Sequence, residues 1–449
     1  MRSTPTGSDD TRANVDRVSL STRQLYIPLY IASTYLFGTF ALFLLIGPTD
    51  LVPNMSKLMT YVLSTIALFA IGYVIRMRSL PRSVLVRDTT VREVRSAKML
   101  ITLCAGYLAA YGISYLITYG ATGPDAILTA MVSPGSAYAA KFHIYALQAA
   151  TGERNLVNQI LTIFAVLYAP LIPMSIVYWR HLMVSTKSFA AMGLGLYALF
   201  FLFIGTLKGL GDVLIFGSAA MLVLTFGTWY GPRPKRNTKG RVVIVIAFVA
   251  VTGYMATSQT QRMTEFGIAG RTQSNPFVAS IIGDSLGRGL QSVMGYPTQG
   301  YLGLAYNLDT QFVWTRGLGS SRAVASYWDQ YIGQSGTSDL TYPARTEART
   351  GWPAGMYWAT IYPWLASDLT FPGAAILMGV VGWLFAKFWY EAAFGRGRLA
   401  LLLFCQIALF LAFVPANNQI GIGRQSMITL MSLVTIYLFA QPGRAAKQL

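Results

Sequence analysis

Residues 25–47 read LYIPLYIASTYLFGTFALFLLIG and contain no charged side chain. An α-helix rises about 1.5 Å per residue, so a stretch of this length crosses the roughly 30 Å hydrocarbon core of a bilayer. A charge at the bilayer centre is costly, which accounts for the absence of charged residues. The stretch therefore predicts a transmembrane helix, and it decides the fold class because the same pattern recurs along the chain.

The recurring apolar stretches predict an all-α fold, a polytopic transmembrane bundle of about ten helices with one large, partly helical loop. A sixth helix follows the fifth so closely that the two are expected to form a tight hairpin. The predicted spans are Leu25–Gly47, Leu58–Ile75, Met99–Tyr119, Val157–Trp179, Phe189–Leu207, Val213–Tyr230, Val242–Thr257, Ala374–Phe394, Leu399–Pro415 and Ser426–Phe439.

The overall composition agrees with a membrane protein. Only 12% of the 449 residues are charged and 54% are hydrophobic, whereas soluble proteins carry about 25% charged residues. Residues 1–23 are polar and lack the apolar core of a signal peptide, so we expect them to form a cytoplasmic tail. Cys104 and Cys405 lie inside predicted helices, and their spacing predicts neither a disulfide nor a metal site.

The distribution of basic residues predicts the orientation of the bundle. Most of the net charge of +18 lies in loops on one side, above all in residues 76–98 and 233–241. Short cytoplasmic loops carry excess Lys and Arg, so this side is expected to be cytoplasmic together with both termini. The basic loops are expected to attract anionic membrane lipids. Because the positive-inside rule explains the basicity, the high pI of the chain does not indicate a nucleic-acid partner.

The spans divide the chain into four parts. Residues 1–23 form the tail, 24–258 hold helices 1–7, 259–372 form a large outer loop, and 373–449 hold helices 8–10 and a short cytoplasmic tail. A loop of this length is unusual in a compact bundle and is commonly functional. Within it, Ser320–Gly333 and Leu340–Thr350 are predicted to be short helices, and Trp352–Leu365 an interfacial or re-entrant helix.

The outer loop uses Arg as its only cation, and Arg binds carboxylate or phosphate through a planar, permanently charged fork. Arg345 and Arg349 fall on one face of a predicted helix, where two like charges repel unless an anion or separate acidic partners lie nearby. Lys208 and Arg424 lie at outer helix ends, where snorkelling cations are also ordinary. The candidate diphosphate-binding residues are Arg271, Arg288, Arg322, Arg345, Arg349, Lys208 and Arg424.

Acidic and aromatic side chains are interleaved with these arginines. The candidate general bases are Glu265, Asp284, Asp329, Glu347 and Asp368. Asp329 and Glu347 lie near basic residues in predicted helices, so a structural salt bridge is an equally good interpretation of these two. Tyr301, Trp328 and Trp352 are candidates for stacking on sugar rings. The alternative is that these aromatic rings pack within the loop or form an interfacial belt.

Several function classes lack their sequence signals. The chain has no Walker A motif and no HExxH motif. Gly283–Gly287 matches the Gly-x-Ser-x-Gly hydrolase pattern, but the loop has neither the required sheet nor a histidine. No acidic residue is predicted deep in a helix, since Asp212 and Glu391 lie near helix ends, and this argues against an ion-coupled transporter.

Three local sequences suggest a family. They are GYPTQGY at 295–301, GLGSSR at 317–322 and WLASDLTFPG at 364–373, and Arg322 and Gly333 match an Arg-x10-Gly spacing. With the many helices and the late Arg-rich loop, this organisation resembles Wzy-type O-antigen polymerases of bacterial inner membranes, which polymerise oligosaccharide repeat units. The resemblance implies a GT-C-like fold, a location in the inner membrane, and an active site that faces the periplasm.

The resemblance further implies a metal-independent glycosyltransferase without a cofactor. Such an enzyme transfers a growing glycan from undecaprenyl diphosphate onto a lipid-linked repeat unit, and a chain-length regulator is a possible protein partner. O-antigen ligases share the architecture but use a histidine in the loop, and 259–372 contains none. A ligase and a polysaccharide or lipid transporter are the alternative functions.

Overall fold

The computed structural model describes residues 17–86, 90–151, 155–231, 238–265, 280, 295, 298–333, 336–355 and 357–440. The described chain is almost entirely helical, and its one small sheet pairs β1 (Arg17–Ser19) with β2 (Ser83–Leu85) in an antiparallel arrangement. The α-helices are α1 (Thr22–Ile46), α2 (Met55–Arg78), α3 (Val91–Thr118), α4 (Pro124–Val132), α5 (Pro134–Thr151), α6 (Leu156–Ile163), α7 (Leu171–Tyr178), α8 (Val184–Phe203), α9 (Lys208–Phe226), α10 (Thr238–Glu265), α11 (Arg322–Tyr327), α12 (Tyr342–Thr350), α13 (Tyr362–Ala393), α14 (Arg398–Phe413), α15 (Gln419–Ile422) and α16 (Arg424–Ala440).

The chain is an all-α, multi-pass membrane protein. Within the described residues, six helices, α1, α2, α3, α8, α9 and α13, are long and apolar enough to cross a bilayer, and a bent helix pair raises this number to seven. Three shorter apolar helices lie at Val245–Met255, Arg398–Phe413 and Arg424–Ala440. These positions coincide with predicted spans, and the count of ten stays a prediction.

The predicted span Val157–Trp179 is not one straight helix. It consists of Leu156–Ile163 and Ala165–His181, which meet at an angle of 68°. A 3₁₀ turn at Ala165–Tyr168 follows the break, and Pro170, which comes next, has no N–H to continue an α-helical ladder. The sequence showed the apolar length but not the bend.

Helices α2 and α13 pack with their backbones in close approach. A methyl group at Gly72 would overlap the carbonyl oxygen of Gly379, and one at Gly382 would overlap the carbonyl oxygen of Phe69. Small residues allow this kind of contact between membrane helices, where dispersion forces and not exclusion from water drive association. The contact fixes α13, the helix that leaves the predicted loop, against the second helix of the chain.

The two ends of the bundle differ. At the basic end, β1 and β2 join the start of α1 to the segment after α2, and Leu20 N–H donates to Arg82 O at 2.8 Å. At the opposite end, the loop end, Lys57 near the start of α2 pairs with Asp309 at 2.8 Å. Asp309 and the neighbouring residues 298–308 therefore lie at the end of the bundle that lacks the basic clusters.

The described part of the loop is folded and partly helical. Helices α11 and α12 fall within the predicted ranges Ser320–Gly333 and Leu340–Thr350. The helix predicted at Trp352–Leu365 is wrong in its first part, because the described residues from 352 to 361 are not helical and α13 begins only at Tyr362. Helix α13 therefore starts inside the predicted loop, and non-helical backbone at Thr370 (φ 65°), two residues before Pro372, breaks it.

Candidate functional site

The structure places the predicted site residues in several different environments. Arg271, Asp284 and Arg288 lie outside the described residues, and Glu265 is the last residue of α10, with a side chain that is also outside the description. The remaining candidates are all described.

Arg345 and Arg349 bind the end of a neighbouring helix. Residues 298–308 are helical, and the guanidinium of Arg349 donates to the carbonyl oxygens of Tyr306 at 2.6 Å and Asp309 at 3.0 Å. Arg345 donates to the Gln311 carbonyl at 2.6 Å, and Lys57 donates to the Leu308 carbonyl at 2.6 Å. Cations are favourable at a helix C-terminus. Backbone carbonyls thus take the place of the anion that the i, i+4 spacing suggested.

Two of the described carboxylate candidates, Asp329 and Glu347, hold backbone turns. Asp329 accepts N–H groups from Thr337 and Ser338, both at 2.9 Å. Burial acts to raise the pKa of Asp329, but these hydrogen bonds outweigh it and lower the pKa. Glu347 accepts the Ala354 N–H at 3.2 Å. A general base works best with a pKa near the operating pH, so the geometry favours an anchoring role for Asp329.

The predicted stacking residues differ in accessibility. Tyr301 is 2% exposed, its hydroxyl is 2.9 Å from Thr39 Oγ1, and its ring packs against Phe40 and Phe43. A ring covered in this way offers no face to a sugar, so Tyr301 is a packing residue. Trp352 is partly buried and donates to the Trp358 carbonyl at 3.2 Å. Trp328, 37% exposed, presents the most open ring of the three.

Asp368 holds the turn that precedes α11. Its carboxylate accepts the backbone N–H groups of Gly317 at 2.9 Å and Ser320 at 2.7 Å, and it also accepts from the Thr315 hydroxyl. Ser321, the next residue, donates from its hydroxyl to the Gly421 carbonyl at 2.7 Å. These bonds fix the start of α11, and with it Arg322, against the segment before α16.

Three predicted cations belong to elements that contact one another at the loop end. Arg322 is the first residue of α11, and the last residue of that helix, Tyr327, lies with its ring 4.3 Å from the guanidinium of Arg424. Lys208 donates to Ser426 at 3.2 Å, two residues beyond Arg424. We call Lys208, Arg322 and Arg424 the cation triad.

The triad is arranged so as to attract an anion. Lys208 and Arg424 are the first residues of α9 and α16, where a cation opposes the positive end of the helix dipole. Lys208 also contacts Asp212 at 3.5 Å, a carboxylate that is 2% exposed. Arg322 is exposed and has no hydrogen-bond or ion-pair partner among the described residues. Two of the three cations thus lie at the first residue of a helix, and the acidic side chain that contacts the triad, Asp212, pairs with Lys208.

Two further cations, which the sequence did not single out as site residues, extend the positive region. The Lys141 ammonium lies 5.2, 5.4 and 5.5 Å from the ring centres of Tyr138, Phe142 and Tyr145. The Arg262 guanidinium lies 3.8 Å from the Tyr138 ring and donates to the Gly205 carbonyl. Burial, and then the charges of Arg262 and Lys208, lower the pKa of Lys141 to about 8.

Lys141 was missed because its neighbours come from distant parts of the sequence. The segment between the third and fourth predicted spans carried only a weak amphipathic signal, and nothing in it indicated contact with α9 or α10. Lys141 on α5 and Arg262 on α10 are brought together by helix packing alone.

A comparison of the chain with protein-family models, curated proteins and solved structures found no match in any of the three. Function is therefore inferred from the residues themselves.

Proposed function

We propose that this chain is a polysaccharide polymerase of the bacterial inner membrane. It transfers a glycan from undecaprenyl diphosphate onto a lipid-linked repeat unit at the periplasmic face. The observation that carries the proposal is the cation triad at the loop end. Cations there run against the positive-inside rule, and two of them also oppose a helix dipole. A bound anion offsets both penalties.

The chemistry requires stabilisation of a leaving group. The acceptor hydroxyl oxygen forms a bond to the anomeric carbon of the donor glycan, and the bond from that carbon to the diphosphate breaks. The electron pair leaves with the diphosphate, and the hydroxyl proton passes to a base. Cations placed where negative charge develops stabilise the transition state, and Arg does so through two parallel hydrogen bonds. In this proposal Arg322 and Arg424 contact the diphosphate, and Lys208 adds charge.

The roles of the other candidates are narrower. Arg345 and Arg349 hold the 298–308 helix and are not assigned to the diphosphate. Asp329 and Asp368 anchor turns, so Glu265, Asp284 and Glu347 stay as candidate bases. Trp328 is the stacking candidate supported by its exposure.

Single replacements of the triad test the proposal. Arg322→Ala, Arg424→Ala and Lys208→Ala are expressed in a strain that lacks its own repeat-unit polymerase, and glycan length is read from gel banding. We expect each variant to shorten the chains strongly at normal protein level, because a charge-assisted contact to the leaving group is lost.

Lys187→Ala is the matched control. Lys187 lies near the N-terminal end of α8 and its ammonium contacts the ring of Trp179, and it is not part of the triad. Normal chain length in all three triad variants would remove the triad from the site.

The same assay separates the polymerase from a ligase. A polymerase-deficient strain displays single-repeat caps, whereas a ligase-deficient strain displays no capped product. The chain is therefore also expressed in a strain that lacks its own ligase, and restoration of capped product there, without elongation in the polymerase-deficient strain, would replace the polymerase proposal with the ligase.

A further inference from the structure

A cleft at the loop end lies beside the positive region. It has a volume of about 380 Å³ and is formed by α4, α5 and the end of α8. Small and apolar side chains line most of it, among them Ala126, Ala130, Ala137, Ala140, Ile144 and Phe203. The small side chains leave room between the helices for an elongated apolar group.

The helices that form the cleft are apolar on their outer surfaces. Leu128 and Val132 on α4 are 59% and 75% exposed, and Phe142 and Leu147 on α5 are also exposed. Large exposed apolar side chains on a membrane protein face lipid. An apolar molecule dissolved in the bilayer therefore reaches the cleft without crossing water.

Lys141 is the one charged residue in the cleft lining. Aromatic rings surround its ammonium, and Arg262 and Lys208 are near enough to lower its pKa. Within the described part of the chain it has no ion pair and no hydrogen-bond acceptor. Even a partly buried ammonium costs free energy unless it is paired, and the charged groups that shift its pKa, Arg262 and Lys208, have the same sign as Lys141.

We propose that the cleft binds the lipid-linked diphosphate carrier, with the chain of the carrier along the small-residue wall and the phosphate next to that chain on Lys141, so that the second phosphate, which bears the glycan, is left to the cation triad. The proposal rests on the proposed function and adds to it a location for the carrier lipid. Both parts are needed for recognition. The apolar wall selects a phosphate that carries a hydrocarbon chain over free phosphate, and several converging cations select a multiply charged headgroup over a neutral one.

Binding is measured on the full chain in phosphatidylcholine nanodiscs, with farnesyl diphosphate as the probe. Farnesol, inorganic diphosphate and phosphatidylglycerol are compared with it. We expect saturable binding of farnesyl diphosphate and much weaker binding of the other three. Equal binding of inorganic diphosphate would indicate a free-phosphate site, and equal binding of phosphatidylglycerol a general lipid site; either result overturns the proposal.

Variants test each half of the site. Lys141→Met is expected to weaken farnesyl diphosphate binding by roughly tenfold or more, the scale of a lost charge-assisted hydrogen bond. Lys141→Arg should retain most of the affinity. Ala140→Phe, at an exposed position in the cleft wall, should block the chain without removing the charge.

Lys187→Met serves as the control, and each variant is checked for monodispersity before binding. Wild-type affinity in both Lys141→Met and Ala140→Phe overturns the proposal.

This assay contains no glycan, so its outcome is independent of polymerase activity. Binding without any chain elongation in cells would leave the carrier site intact and remove the proposed function. Chain elongation in cells without specific binding at Lys141 would support the proposed function and remove the carrier site.

Discussion

The positive charge on Lys141 destabilises the folded chain. Its pKa is lowered from 10.5 to about 8, first by burial and then by the charges of Arg262 and Lys208. The groups around its ammonium are Tyr138, Phe142 and Tyr145 on its own helix, Arg262 on α10 and Lys208 on α9. Because the folded pKa is the lower one, the unfolded chain binds more protons between pH 8 and 10.5, and stability rises with pH in that window.

Lys141→Met should therefore stabilise the chain free of ligand. We expect a higher Tm than wild type at pH 7 and a smaller difference at pH 9.5, where wild-type Lys141 has lost most of its charge. The measurement is thermal unfolding in detergent at both pH values, with Lys187→Met as the reference. A lower Tm for Lys141→Met at pH 7 would contradict this account.

Arg349 and Arg322 should respond differently to the same substitution. Arg349→Ala removes two hydrogen bonds to the end of the 298–308 helix, so we expect the Tm to fall by roughly 2–4 °C with glycan length preserved. Arg322→Ala, which removes an exposed side chain, should leave the Tm unchanged and shorten the glycan. Thermal unfolding and gel banding on the same two variants check the pair of expectations. Shortened glycan in Arg349→Ala at normal protein level would return Arg349 to the site.

At this scale, patterns along the sequence predicted positions better than partners. The i, i+4 spacing correctly placed Arg345 and Arg349 together on a helix. The groups that they bind are backbone carbonyls, which every residue has, so residue types could not indicate these partners. Tyr301 carried the same aromatic signal as Trp328, and only packing against Phe40 and Phe43 distinguishes the two. Arg424 contacts Tyr327, which lies on the same short helix as Arg322, and nothing in the sequence indicated this contact between two distant segments.

Among the elements, length and polarity predicted the long helices well. Six predicted spans correspond to single helices long enough to cross a bilayer. The failures fall where the backbone departs from a regular helix, at the 68° bend after α6 and at the break in α13. Proline marks both regions, but whether it kinks, ends or begins a helix depends on what packs against it.

For the whole molecule, the uneven charge distribution makes a prediction about topology. Single cysteines are introduced at Gln330 in the loop and at Ser79 at the basic end, both exposed positions. We expect a membrane-impermeant maleimide to label Gln330→Cys in intact cells and Ser79→Cys only after the cells are opened, because basic loops remain in the cytoplasm.

The native cysteines Cys104 and Cys405 are buried, so the parent chain provides the background in this experiment. The opposite labelling pattern would show that the bundle has the inverse orientation and that the cation triad faces the cytoplasm.

The close contact between α2 and α13 also bears on how the protein is made. Helix α2 enters the membrane early in synthesis, whereas α13 emerges only in the last fifth of the chain. Throughout that interval the backbone at Gly72 lacks its contact with Gly379. The groove at Gly72, which is shaped to accept another helix backbone, is then open to lipid. The first helices of the bundle therefore complete their packing only after the ribosome has synthesised α13.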